Sequence, residues 1–234
     1  MPSIHLTNGK LRYRPIPIFA GVKQINKVDA FDNLCLLKSV LDEKEVDFQI
    51  TYGTLLGAVR EKDFIKHDED IDILILDEEK QKFLDTLPCL IKNGFQIARY
   101  DRRGLLSIIR NEVYIDFYFF SLKENGIRYC SGIIVPSKLI EETMIYSFKN
   151  LDVRIPLYYK DFLSYEYGNN WMTPIQYYNY GGSKIKRYLE TIKVVVKEYL
   201  PDSIYFHFAK NAEVKMRIQY EEKLKIYLET KKEI

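Results

Sequence analysis

Apolar residues recur along the chain in two rhythms. From about Ile25 to Lys44, Val28, Phe31, Leu34, Cys35, Leu37, Val40 and Leu41 return every three or four positions, the spacing of one face of a helix. Glu78–Lys92 repeats that rhythm and stops at Asn93-Gly94, where glycine suits a left-handed C-terminal position. Between them stand a short strand candidate at Phe48–Ile50, a turn at Gly53, a short helix over Thr54–Arg60 and a β-branched apolar run at Ile71–Leu76. Further strands are predicted at Phe95–Tyr100, Leu105–Arg110 and Val113–Phe120. Asn125-Gly126 signals a hairpin leading into Ile127–Val135. A second hairpin turns at Lys149-Asn150, between Met144–Phe148 and Leu151–Ile155. Residues 1–20, with Pro15 and Pro17, read as irregular or as an edge segment. From Tyr158 the pattern is helical, with long helices over Ser183–Leu200 and about Asp202–Lys231 separated by Pro201. The pattern predicts an α/β core over residues 1–155 and a helical C-terminal part, 156–234, packed on it.

Composition narrows the functional classes. The 234 residues carry 35 Lys+Arg against 33 Asp+Glu, a net charge of +2, which argues against a dedicated nucleic-acid binder. No apolar run reaches the roughly 18 residues of a membrane span, and Met1–Lys10 has no signal-type apolar stretch. Cys35, Cys89 and Cys130 are scattered and odd in number, so neither a zinc site nor a disulfide framework is expected. These features lead to the expectation of a cytoplasmic protein. Nineteen tyrosines beside a single tryptophan suit partly wet clefts; codon bias would produce the same excess.

The chemistry concentrates in Asp68-Glu69-Asp70-Ile71-Asp72-Ile73. Asp70 and Asp72 are two apart at the start of a strand, so alternation puts both carboxylates on one face. Carboxylates held that close repel unless a cation lies between them, and Mg²⁺, with Mn²⁺ as the alternative, is the hard ion that oxygen donors take. Asp116, in the apolar strand around it, becomes a third ligand if that strand neighbours Ile71–Leu76; otherwise an arginine such as Arg110 would satisfy it. Gly53-Thr54, at a strand-to-helix turn, offers free N–H groups and a hydroxyl to a phosphate. A metal held by carboxylates opposite a phosphate cradle supplies the parts for phosphoryl or nucleotidyl transfer. The acidic run also reads as a solvated turn. An EF-hand through Asp68, Asp70, Asp72 and Glu79 is disfavoured by Ile73 where that loop needs glycine.

Gly53-Thr54-Leu55-Leu56-Gly57-Ala58-Val59-Arg60 followed by Asp68-Glu69-Asp70-Ile71-Asp72-Ile73 resembles the signature of the LicD/fukutin family, part of the nucleotidyltransferase-fold superfamily. Ile115-Asp116-Phe117 is similar to that family's later strand, and Tyr167-Gly168-Asn169-Asn170-Trp171-Met172-Thr173-Pro174 to a downstream segment. One departure is Lys66-His67, where the family usually has Pro-Trp.

The resemblance implies an α/β (α+β) fold with a mixed sheet flanked by helices. It implies transfer of a phospho-alcohol from a CDP-linked donor to a hydroxyl of a cell-surface glycan or its lipid-linked precursor, with release of CMP. In that reading Gly53 and Thr54 bind the donor diphosphate. Asp70 and Asp72 hold Mg²⁺, and Asp116 completes the metal site or takes the acceptor proton. Arg60 neutralises phosphate, or makes a structural ion pair. His67 is a base, a ligand or a phosphate contact, or simply exposed. Trp171, with Tyr165 and Tyr167, lines a substrate pocket, or Trp171 packs in the core. Tyr177, Tyr178, Tyr180 and Gly181-Gly182 would line an acceptor groove. The lysines of the last helices form a solvated face, or dock the protein peripherally at the inner face of an anionic membrane. Nucleotidyl transfer to a small molecule or protein, and metal-dependent glycosyl transfer, are the competing activities.

Overall fold

The computed structural model describes residues 1–18, 24–174 and 184–232. The chain opens with a hairpin, β1 (Ser3–Leu6) and β2 (Gly9–Arg12), where the sequence suggested an irregular or edge segment. Helix α1 (Lys27–Glu43) is capped by Asn26, whose side-chain oxygen accepts from the Val28 and Asp29 amides. Its buried face is Ala30, Asn33, Leu34, Leu37, Val40 and Leu41, which keeps most of the expected stripe, with Phe31 packed at its border and Val28 exposed. The buried face includes Asn33, which donates to the Arg110 carbonyl at 2.8 Å and accepts from the Arg110 guanidinium at 2.7 Å. Paired in this way, the buried amide costs little.

Strand β3 (Gln49–Ile50) leads into α2 (Tyr52–Arg60), then β4 (Asp70–Leu76) and α3 (Asp77–Lys92). The acidic residues Asp77, Glu78 and Glu79 occupy the first turn of α3, where the helix dipole favours them. Strands β5 (Gln96–Asp101), β6 (Leu105–Arg110) and β7 (Val113–Lys123) complete the main sheet in the order β3-β4-β7-β6-β5. β4 and β7 are parallel and central; the other pairs are antiparallel. The single run expected over Ile127–Val135 is two strands, β8 (Ile127–Cys130) and β9 (Ile133–Pro136), turning at Ser131-Gly132 and extending from β7. β10 (Thr143–Phe148) and β11 (Leu151–Pro156) form a separate hairpin.

Ile71, Ile73, Leu74 and Ile75 are wholly buried, as a central strand covered on both faces requires. Phe83 of α3 stacks on Phe117 and Phe119 with centroids 4.4 and 5.6 Å apart. Gly57 lets α2 touch the loop after it: a Cβ there would lie 2.6 Å from the Asp63 carbonyl oxygen and 3.0 Å from the Ile65 amide.

After α4 (Tyr159–Tyr167) the chain resumes as α5 (Lys184–Glu198) and α6 (Asp202–Lys232). α6 lies so close to the β8–β9 turn that a Cβ on Gly132 would come within 2.7 Å of the Glu213 carbonyl oxygen. Further along, Tyr220 and Lys223 hold the Glu166 carboxylate of α4 at 2.8 and 3.1 Å. The fold is a mixed α/β sheet flanked by helices, with helices at the C-terminal end.

Candidate active site on the β4–β7 face

Four strands bring one polar row together. Asp72 on β4 is in register with Asp116 on β7, Asp116 with Ser107 on β6, and Ser107 with Arg99 on β5. Arg99 joins the row because of a bulge. Ile97 faces Ile108 and Arg99 faces Ser107, so Ala98 is an extra residue on β5. The insertion moves Arg99 from the face of Ile97 to that of Ser107. Arg99 then donates to Asp116 Oδ2 at 2.8 Å, while the Ser107 hydroxyl donates to Oδ1. The partner of Asp116 is thus Arg99, and Arg110 is engaged with Asn33 instead.

Asp72 is fixed by four bonds. Its Oδ2 accepts from the Gly53 amide at 2.9 Å and its Oδ1 from the Tyr118 hydroxyl at 3.2 Å. Its own amide donates to Thr54 Oγ1 at 2.9 Å, and its carbonyl accepts from the Thr51 amide at 3.0 Å. The sequence suggested Gly53 and Thr54 as direct phosphate contacts. The structure turns both toward Asp72 and buries Thr54 completely, so their visible role is to set the carboxylate.

Gly53 is needed for a further reason. A Cβ there would collide with Asp68 Oδ2 and sit 3.2 Å from Asp72 Oδ2. Gly53→Ala is therefore expected to push the two carboxylates apart and lower turnover at least about tenfold, with a loss of about 1–3 kcal/mol in stability from overpacking. Urea unfolding beside an activity assay checks this; an unperturbed variant would remove Gly53 from the site.

The carboxylates crowd one another. Loss of surrounding water, then the charges of Asp72, Asp116 and Asp68, hold the Asp70 carboxyl well above the ordinary range. Asp72 is raised by burial, then by Asp68 and Asp116, against the opposing bonds from Gly53 and Tyr118. Asp68 is pushed up to about 6, chiefly by burial. Its Oδ1 accepts from the Glu69 amide at 3.2 Å, whereas its Oδ2 is buried without a hydrogen-bond partner. Sequence reasoning left Asp68 out of the site set, although it stands within the quoted motif. Arg99, Ser107 and Tyr118 were also missed; only the topology brings them in. Tyr167 borders the cluster: its phenol is raised first by burial and then by Asp72, Glu166, Asp68 and Asp70.

Other candidates lie differently. Arg60 donates to the Trp171 carbonyl at 3.1 Å and to Glu61 at 2.8 Å, joining the end of α2 to the segment after α4. Trp171 is half-buried against the core. Tyr165 is buried, donates to the Ile134 carbonyl at 2.6 Å and packs on Tyr220 and Tyr227, so it is a core residue. His67 is exposed, with its Nδ1 3.4 Å from the Gln24 amide nitrogen. Glu79, the last EF-hand position, is on α3 and accepts from the Asp47 amide at 3.2 Å. Tyr177, Tyr178, Tyr180, Gly181 and Gly182 fall outside the described residues.

Residues 45–186 match the family described as LicD/FKTN/FKRP, nucleotidyltransferase domain, which is well over half the chain. The chain belongs to this family. The LicD-family domain contains the whole polar row and the Tyr167–Trp171 segment; β1, β2, α1 and α6 lie outside it. A protein of Rickettsia typhi, RT0683, described only as uncharacterized, is 25% identical over 182 residues, 76% of this chain and 51% of its own length. Lipopolysaccharide cholinephosphotransferase LicD of Haemophilus influenzae is 36% identical over 62 residues, 26% of this chain and 21% of its own length. The chain thus spans about half of the first relative and a fifth of the second.

Among solved structures, the lincomycin-bound lincosamide adenylyltransferase LnuA is 13% identical, with a TM-score of 0.43, over 70% of this chain and 96% of its own. The solution structure of the antibiotic-resistance factor ANT(2'')-Ia is 10% identical, with a TM-score of 0.47, over 89% and 100%.

Proposed function

We propose that this LicD-family domain transfers a phospho-alcohol from a CDP-linked donor to a glycan hydroxyl. One observation carries the reading: Asp68, Asp70, Asp72 and Asp116 converge around the Gly53 turn with, among the described residues, one guanidinium, Arg99, set against them. Such a surface repels a diphosphate unless a divalent cation intervenes.

The residues suit such an ion. The donors are all oxygen, Asp68 Oδ2 is buried and unbonded, and Asp70 and Asp72 are destabilised as anions by one another. Among the described residues no three His, Cys, Asp or Glu side chains already stand as a ready-made metal cage. Asp70 and Asp72, with Asp68 beside them, are the residues that would hold Mg²⁺. The ion would supply neutralisation of the donor diphosphate.

The rest is positioning. The acceptor hydroxyl oxygen attacks the distal phosphorus, the bond from that phosphorus to the bridging oxygen breaks, and CMP leaves with the electron pair. The hydroxyl proton passes to a carboxylate of the cluster; Asp116, in register with Asp72 and held through both oxygens by Arg99 and Ser107, positions the row. Tyr167, at the edge of the cluster and 41% exposed, is an aromatic candidate for contact with the transferred group.

The test is incubation of the protein with Mg²⁺ and a panel of CDP-linked alcohols, with and without glycan acceptors, following CMP. The expected result is CMP release from one donor class, lost with EDTA. Pyrophosphate release from a nucleoside triphosphate, with no CMP from any CDP-linked donor, would replace this reading by nucleotidyl transfer.

A further inference from the structure

Helix α5 is seated on the body by its polar side. Thr191 is buried and its hydroxyl donates to the Ile18 carbonyl at 3.2 Å. Glu198, 3% exposed, accepts from the Tyr100 amide at 3.2 Å and from the Tyr13 hydroxyl. The opposite side is apolar and faces water. Leu189, Ile192, Val196 and Tyr199 are 51, 41, 53 and 52% exposed. They stand at successive steps of three, four and three residues, which is one stripe of a helix. A helix of a globular protein normally buries that stripe; here the order is reversed.

Past the end of the helix, Tyr199, Leu200, Pro201 and Phe206 form the apolar side of a predominantly polar depression of about 680 Å³ that also takes in Lys80, Arg102, Glu198 and Asp202. Phe206 and Phe208, in the first turns of α6, are themselves 45 and 57% exposed.

Charge selects the occupant. α5 has Lys184, Lys186, Arg187, Lys193 and Lys197 against Glu190 and Glu198, and Glu198 is withdrawn into the body. The exposed Arg12 and Arg14 flank Tyr13, which holds Glu198. Two copies meeting through this stripe would bring two helices of net positive charge together, whereas an anionic lipid surface complements both the charge and the apolar stripe. No helix among the described residues is long and apolar enough to cross a membrane, so the contact is in the plane of the surface.

We propose that α5 docks this protein on an anionic phospholipid bilayer, with Leu189, Ile192, Val196 and Tyr199 entering the headgroup–acyl boundary. The proposal is independent of the transfer reaction. It is tested by flotation of the full chain with phosphatidylcholine vesicles containing about one-third phosphatidylglycerol, against pure phosphatidylcholine. The expected result is recovery with the anionic vesicles, loss with the neutral ones, and a fall of about tenfold or more in partitioning for Ile192→Glu/Val196→Glu at unchanged melting temperature. Absence of binding to the anionic vesicles, or equal binding by the variant, overturns the proposal. So does a wild-type dimer in sedimentation equilibrium that the same variant dissociates, because the stripe is then a contact between copies.

Discussion

Asp70→Asn is expected to abolish transfer and, in the absence of divalent cations, to make the protein more stable. Asp70 shares its space with Asp72, Asp116 and Asp68, and its carboxyl is held well above the ordinary range by burial and by those three charges. Asparagine keeps the shape and removes one of the crowded charges. Asp72 is the poorer choice, because its carboxylate accepts from Gly53 and Tyr118 and an amide would break one of those bonds.

A group whose folded pKa is raised binds more protons folded than unfolded. Stability then falls as pH rises from the unfolded carboxylate value, about 4, through the higher folded value. Asp68, raised to about 6, titrates in the same sense. Metal-free wild type should therefore melt at lower temperature at pH 7.5 than at pH 5, and Asp70→Asn should flatten that slope. The gain should be present near neutrality and vanish below about pH 4, where the carboxyl is protonated in both states. Mg²⁺ at a hundred times its dissociation constant should restore about 2.7 kcal/mol to the wild type and much less to the variant. Turnover should drop by about a hundredfold or more, since the cation would carry the neutralisation of the donor phosphates. Melting curves over pH with and without Mg²⁺ decide the matter. A destabilised variant with an intact Mg²⁺ response would show that Asp70 is no part of a cation site.

The acidic core of this site was legible because it is local. Asp70 and Asp72 share a face by strand alternation alone, and the glycine of Gly53-Thr54 is marked by the strand-to-helix turn it occupies. The pairing of Asp72 with Asp116 required only that the two apolar strands be neighbours, as they are. Other features depend on packing that periodicity does not encode. Nothing in Arg99 or Ala98 announces a bulge, so the arginine nearest Asp116 in sequence, Arg110, was the natural but wrong partner. The hydroxyl of Thr54 was available to a phosphate on paper; burial beneath β4 gives it to the Asp72 amide. In α1 the apolar stripe was legible, but not that Asn33 is buried beside it, since its partner Arg110 is brought there by the sheet. In α5 the helix was legible and its orientation was not, since periodicity says which residues share a face and not which way the face looks.

Arg99→Met should destabilise the fold by about 3 kcal/mol, the usual result of leaving one member of a buried ion pair behind. Asp116 is 5% exposed and its charge is met by the Arg99 guanidinium, with Ser107 as a second donor. Arg99 also opposes the crowding at Asp70, so its removal takes away a charge that offsets the four carboxylates. The loss should depend on Asp116 being charged. In the Arg99→Met/Asp116→Asn double variant the buried charge is gone, and the combined destabilisation should fall below the sum of the two single ones by about 1–3 kcal/mol. Urea unfolding of all four proteins measures that coupling. Additive losses would mean that the bulge at Ala98 serves the packing of β5 alone. A clear coupling would make the bulge part of the site, since the extra residue is what turns Arg99 onto the face of Ser107 and Asp116. A metal-free and a metal-loaded cycle should then differ, because a cation bound by Asp70 and Asp72 takes over part of the neutralisation that Arg99 alone provides without it.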